Sequence, residues 1–188
     1  MKSCYDKLPD GYHELLTVDL QKNKRLALLV NGLALLIAIL MVLLGAYLVP
    51  FGTALRYIHP LSLLALFAAI VVYMLLHELT HGICMKLYGS GKVRYGFTGL
   101  YAFAGSGSYF SRGPYIVIAL APVIVLGVVL LALNFVFSSG AGFWCVYIVQ
   151  ITNISGAAGD MYVTGKFLKL PRDILVHDSG VSMTVYAK

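Results

Sequence analysis

Charge is what this chain has least of. Only 12% of its 188 residues are Asp, Glu, Lys or Arg, against about 25% in a soluble domain, so it lacks the solvating surface of a water-soluble globule. Cysteine is also scarce. Cys4, Cys84 and Cys145 are too few and too scattered for a disulfide framework. Cys84, three residues after His81, shares a helical face with it, and a small thiol packed between helices is the simpler reading than a metal ligand. The start of the chain is expected to be retained rather than cleaved as a secretory signal. The Lys22-Asn23-Lys24-Arg25 lead-in meets an apolar stretch too long for a signal core, with no small-x-small site after it, which predicts a retained anchor.

What is present is apolar: 60% of the residues are hydrophobic. Four stretches have the ~20 residues that a membrane-crossing helix needs: Leu26–Val49, Leu61–Leu87, Tyr115–Phe137 and Phe143–Val163. The fourth is the most polar, with Asn153, Ser155 and Asp160. Arg56 alone among the 14 basic residues falls in the loops after the first and third stretches. The positive-inside rule then places both termini and the long middle loop in the cytoplasm. The net charge of +6 follows from that topology and from contact with anionic headgroups, with no need for nucleic acid. The expected fold is an all-α polytopic membrane protein of about four transmembrane helices. A cytoplasmic segment (1–25) precedes a single integral-membrane domain (26–165), and a cytoplasmic tail (166–188) follows.

Acidic residues single out a site. Of eight, Asp6, Asp10, Glu14, Asp19, Asp173 and Asp178 lie in polar segments, and only Glu78 and Asp160 fall within apolar spans. Carboxylates are costly there and need a reason to exist. Glu78 belongs to His77-Glu78-Leu79-Thr80-His81, an H-E-x-x-H pattern. One helical turn separates the two histidines, so both imidazoles project toward a single ion. Glu78, offset by about 100°, reaches water at that ion without ligating it. The topology puts His77, Glu78 and His81 in the cytoplasmic third of the second span, and Asp160 at similar depth in the fourth. A catalytic zinc takes three protein ligands and one open position, and Asp160 is the candidate third ligand. His13, His59 and His177 lie outside the spans and read as surface or interfacial residues, with His177 a remote site candidate.

The loops carry further signals. After Gly89-Ser90-Gly91, the alternation of Val93, Tyr95 and Phe97, then Leu100, Tyr101 and Phe103 among glycines, predicts a short β-hairpin or re-entrant loop over 93–110. It presents an edge strand to an extended peptide or anchors at the interface. Pro122 should kink the third span or open a gap near the site. Asn153, two turns before Asp160, bonds either a substrate backbone or a neighbouring helix. The run Ser155-Gly156-Ala157-Ala158-Gly159 allows close packing or local unwinding. Alternation around Asp178-Ser179-Gly180 predicts a small cytoplasmic β-hairpin at the C-terminus.

On these residues the chain resembles the site-2 protease superfamily of intramembrane zinc metalloproteases, and more closely a small membrane family of zincin peptidases. The likeness rests on His77-Glu78-x-x-His81, the glycine-rich hairpin after it, Arg112-Gly113-Pro114 with Pro122, and Asn153 with Asp160. It departs where site-2 proteases carry Asn-x-x-Pro and Leu-Asp-Gly: Ser155-Gly156 follow Asn153 and Met161 follows Asp160. No PDZ insertion is present. The resemblance implies zinc held by His77, His81 and Asp160, with Glu78 as acid/base; Asn153 stays a candidate substrate contact by its position alone. The expected activity is hydrolysis of peptide bonds in transmembrane or membrane-associated proteins. A zinc transporter or sensor, a catalytically inactive membrane scaffold, and hydrolysis of a lipid amide or ester stay open at this point.

Overall fold

The computed structural model describes residues 2–55, 58–99 and 101–188. Arg56, expected alone on its side of the membrane, and Leu100 of the aromatic loop lie outside the described residues. The order is β1 (Cys4–Tyr5), β2 (His13–Val18), α1 (Lys24–Leu48), α2 (Gly52–Leu55), α3 (Pro60–Leu87), β3 (Val93–Phe97), β4 (Ala102–Ser106), β5 (Tyr109–Ser111), α4 (Arg112–Val136), α5 (Gly140–Gly156), α6 (Ala158–Leu168), β6 (Leu175–Asp178) and β7 (Met183–Ala187).

Among the described residues, three helices, α1, α3 and α4, are long and apolar enough to cross a membrane. Their outward faces leave large side chains such as Leu28, Leu64, Phe67 and Val128 exposed. Such faces suit lipid, because a soluble helix would bury an apolar stripe this wide. Polar residues at the ends start and stop them. The Asn23 side chain accepts from Leu26 N at 3.0 Å to begin α1. His59 caps α3, its own N–H donating to Ser62 Oγ at 3.0 Å, with Pro60 in the first turn where a missing N–H costs nothing. Gly89, at φ +93°, ends α3 in the left-handed conformation that glycine adopts without strain.

The fourth apolar stretch differs from the single helix expected. It is divided at Ala157 into α5, of 17 residues, and α6, of 11. The break falls in the small-residue run, where Ala157 and Ala158 are fully buried. Side chains this small let backbone approach backbone, and neighbouring groups then take over the hydrogen bonds that a continuous helix would make.

The expected hairpins belong to two sheets beside the helices. The predicted hairpin is β3–β4, antiparallel, with Tyr95 opposite Ala104. A five-stranded antiparallel sheet in the order β1-β5-β6-β7-β2 joins segments from before α1, before α4 and after α6. The C-terminal hairpin was legible from its alternation and its Gly180 turn. The N-terminal strands were not, because β1 has two residues and β2 carries a register shift between Glu14 and Leu16. Only pairing with β5 and β7 makes them strands.

The sheet seats on the helix ends through a core that includes Phe110, Ile118, Phe167, Val176 and Val185, each 0–1% exposed. Burying such side chains contributes about 1.5–3 kcal/mol each. A second cluster, Phe143, Trp144 and Tyr147, packs α5 on α1. There a Cβ on Gly45 would overlap the Tyr147 ring. Two contacts tie sheet to hairpin and helix. Tyr115 Oη donates to Asp178 Oδ2 at 2.5 Å, linking α4 to β6. The Ser179-Gly180 turn lies so close to β4 that a Cβ on Gly105 would overlap the Ser179 backbone.

Two substitutions test this seating by thermal unfolding in detergent. Gly105→Val should destabilise by about 1–3 kcal/mol through overpacking against backbone that cannot yield. Tyr115→Phe should cost about 1–3 kcal/mol by stripping a donor from a buried carboxylate. Unchanged melting of both variants would show that the C-terminal turn is not docked.

Candidate metal centre

The two histidines project from one face of α3. His77 and His81 have their rings 4.8 Å apart and their Nε2 atoms 3.2 Å apart. Asp160, in the first turn of α6, brings Oδ2 to 3.6 Å from His77 Nε2 and 3.8 Å from His81 Nε2. The break at Ala157 makes this position: it starts a new helix just before Asp160, so the carboxylate sits at the favourable positive end of the α6 dipole. The structure thus brings together the three sequence-predicted ligands, all of whose ligating atoms lie within 4.8 Å of one another. Each is partly shielded, with 12% of each histidine side chain and 22% of that of Asp160 exposed.

The donor set can be tested against zinc. Ligands about 2.0–2.1 Å from a tetrahedral zinc stand about 3.3 Å apart, close to the observed 3.2, 3.6 and 3.8 Å. Two imidazole nitrogens and one carboxylate oxygen, with a fourth side unclaimed by this group, are also the ligand chemistry of a catalytic zinc site. The residues fit the ion.

Glu78 stands beside this group, half-buried, with the Ala104 backbone of β4 near its carboxylate. An open groove of about 300 Å³ runs past it between Leu75 and Leu79 of α3 and Tyr95, Gly96, Ala102 and Phe103 of the hairpin. A cavity of about 160 Å³ flanks Asp160 on another side, lined by Val163, Val181 and Met183 among others. Asp178 also lines it. Burial pushes that carboxyl above its ordinary range, against the lowering effect of hydrogen bonds from Tyr115 Oη and Gly180 N.

Two groups that the sequence reading did not single out, Tyr73 and the Ile118 carbonyl, join Asn153 around the histidines. His77 Nδ1 lies 3.0 Å from Tyr73 Oη, and Tyr73 Oη donates to Asn153 Oδ1 at 3.2 Å. Asn153 Nδ2 donates to Val123 O at 3.1 Å. His81 Nδ1 lies 2.9 Å from Ile118 O. Tyr73 was findable, being four residues before His77 on the same helical face. Ile118 was not, since a backbone carbonyl has no sequence signature. Asn153 is wholly buried, with both ends of its amide engaged by Tyr73 and Val123. The helix runs through Pro122 without a break. Cys84 packs against the core, outside the ligand group. His177 lies in β6 against the Tyr109 ring, 5.0 Å between centroids. His13 is in β2, and His59 caps α3.

Residues 70–175, more than half of the chain, match the family described as "Putative zincin peptidase". No curated protein and no solved structure matches significantly. The matched segment holds α3 from before Tyr73, the hairpin, α4, α5, α6 and all three converging ligands. This chain therefore belongs to the putative zincin peptidase family, whose description is that of a zinc metallopeptidase.

Proposed function

We propose that this protein is a membrane-embedded zinc metallopeptidase of site-2 protease type that hydrolyses peptide bonds of transmembrane or membrane-associated proteins. The observation that carries the reading is the convergence of His77, His81 and Asp160, drawn from two helices, with Glu78 beside them. His77, His81 and Asp160 hold zinc. When bound, the ion supplies a Lewis acid that polarises a carbonyl oxygen and acidifies water. Glu78 takes a proton as water adds to the scissile carbonyl carbon, and returns it to the nitrogen as the C–N bond breaks and the amine leaves.

A helical substrate hides its peptide bonds, so it meets Glu78 as an extended segment. The groove between α3 and the β3–β4 hairpin suits such a segment, since β4 is one of only two strands in its sheet among the described residues. The ordering of sides follows the basic residues: β1 and β2 before α1, β5 just before α4, and β6 and β7 after α6 share one sheet, which we assign to the cytoplasmic face. In this reading α5 and α6 together make the fourth crossing, with the metal centre near the cytoplasmic end.

Detergent-purified protein should carry near-stoichiometric zinc, and Asp160→Ala should lose most of it. Glu78→Gln should keep the zinc and lose peptide hydrolysis by at least ~10²-fold. Hydrolysis persisting in a pure Glu78→Gln sample would end the assignment of Glu78 as the acid/base.

A further inference from the structure

The second nitrogens of the two histidines are held by different helices, and the direction of every proton there can be worked out. At Val123 the carbonyl oxygen only accepts, so the Asn153 group 3.1 Å away is its Nδ2 amide. Asn153 Oδ1 then faces Tyr73 Oη at 3.2 Å, and it also only accepts. The single phenolic proton of Tyr73 is thereby committed to Asn153. The Tyr73 oxygen is left to accept at 3.0 Å, so His77 Nδ1 carries a hydrogen. At His81 the partner of Nδ1 is the Ile118 carbonyl at 2.9 Å, so that Nδ1 carries a hydrogen too. A neutral imidazole protonated at Nδ1 has its lone pair at Nε2, and the two Nε2 atoms are those that face each other and Asp160.

Pro122 explains why the Ile118 carbonyl is available. In an unbroken helix that oxygen accepts from the N–H four residues on, and residue 122 has none. Ile118 and Pro122 are both fully buried, so an orphaned carbonyl there would cost free energy unless a side chain filled it. His81 fills it. The other chain has its own accommodation: Gly127 lies so close to Asn153 that a Cβ would sit 3.0 Å from Nδ2.

We propose that Tyr73 and Pro122 are positioning residues of the metal centre. Tyr73, itself held by Asn153, sets the tautomer and ring orientation of His77. Pro122, by freeing the Ile118 carbonyl, does the same for His81. Both therefore present Nε2 to the ion before it arrives. The proposal rests on the zinc reading above and assigns Asn153 to holding Tyr73.

The test compares wild type, Tyr73→Phe and Pro122→Ala for zinc affinity, by competition with a chromophoric chelator. It also follows the histidine ring nitrogens in cadmium-loaded, ¹⁵N-histidine-labelled protein. Wild type should show cadmium coupled to Nε2 of both rings, with Nδ1 protonated. Tyr73→Phe should weaken zinc about 10–100-fold and alter the Nδ1 signal of His77 alone. Pro122→Ala should weaken it similarly and alter the signal of His81 alone. Thermal unfolding of that variant, measured alongside, distinguishes weaker binding from loss of the fold. Unchanged affinity and ring signals in both variants, or cadmium on Nδ1 in wild type, overturns the proposal while the zinc reading stands. Wild-type protein that takes up no zinc overturns both.

Discussion

Two imidazoles and a carboxylate meet at one point in partly dry surroundings. Their nitrogens stand 3.2 Å apart with the carboxylate facing them, a donor set that fits a cation. The fold delivers these groups from two helices that are far apart in the chain, and much of the remaining structure serves their approach. The small-residue break at Ala157 ends α5 and starts α6 where Asp160 meets α3. The packing of α4 between α3 and α5 supplies the acceptors that orient both rings. In apolar surroundings each polar atom must find a partner. The network around the histidines therefore reads as a chain of obligations running from Val123 to the metal site.

The five-stranded sheet serves the site indirectly. It holds the ends of α3, α4 and α6 together by drawing strands from three separate parts of the sequence, so the helices' relative positions are set at one end. Its β6–β7 turn packs on β4, whose Ala104 backbone lies near Glu78. Glu78 is thus approached from outside the helical bundle by a hairpin whose two strands border the groove beside it.

The sequence reading reached the long apolar helices, the hairpin over 93–110, the C-terminal hairpin, and His77, His81 and Asp160, whose side chains the structure brings together. These follow from local rules. Hydropathy needs only a run of residues, alternation needs four or five, and the spacing of His77, Glu78 and His81 is fixed by one helical turn. Asp160 came from an energetic argument, that an acid in an apolar span needs a counterpart, and the structure places it at the histidines.

The chain by itself determined which segments are too apolar for water and which few charges stand inside them, because those costs are paid residue by residue. Only the tertiary structure decided the break at Ala157, the strand character of residues 4–5 and 13–18, and the use of Tyr73, Asn153 and the Ile118 carbonyl around the histidines. The reason is physical. Each of these depends on a partner distant in sequence, and a hydrogen bond to a backbone carbonyl or a strand pairing leaves no mark on the composition of either partner.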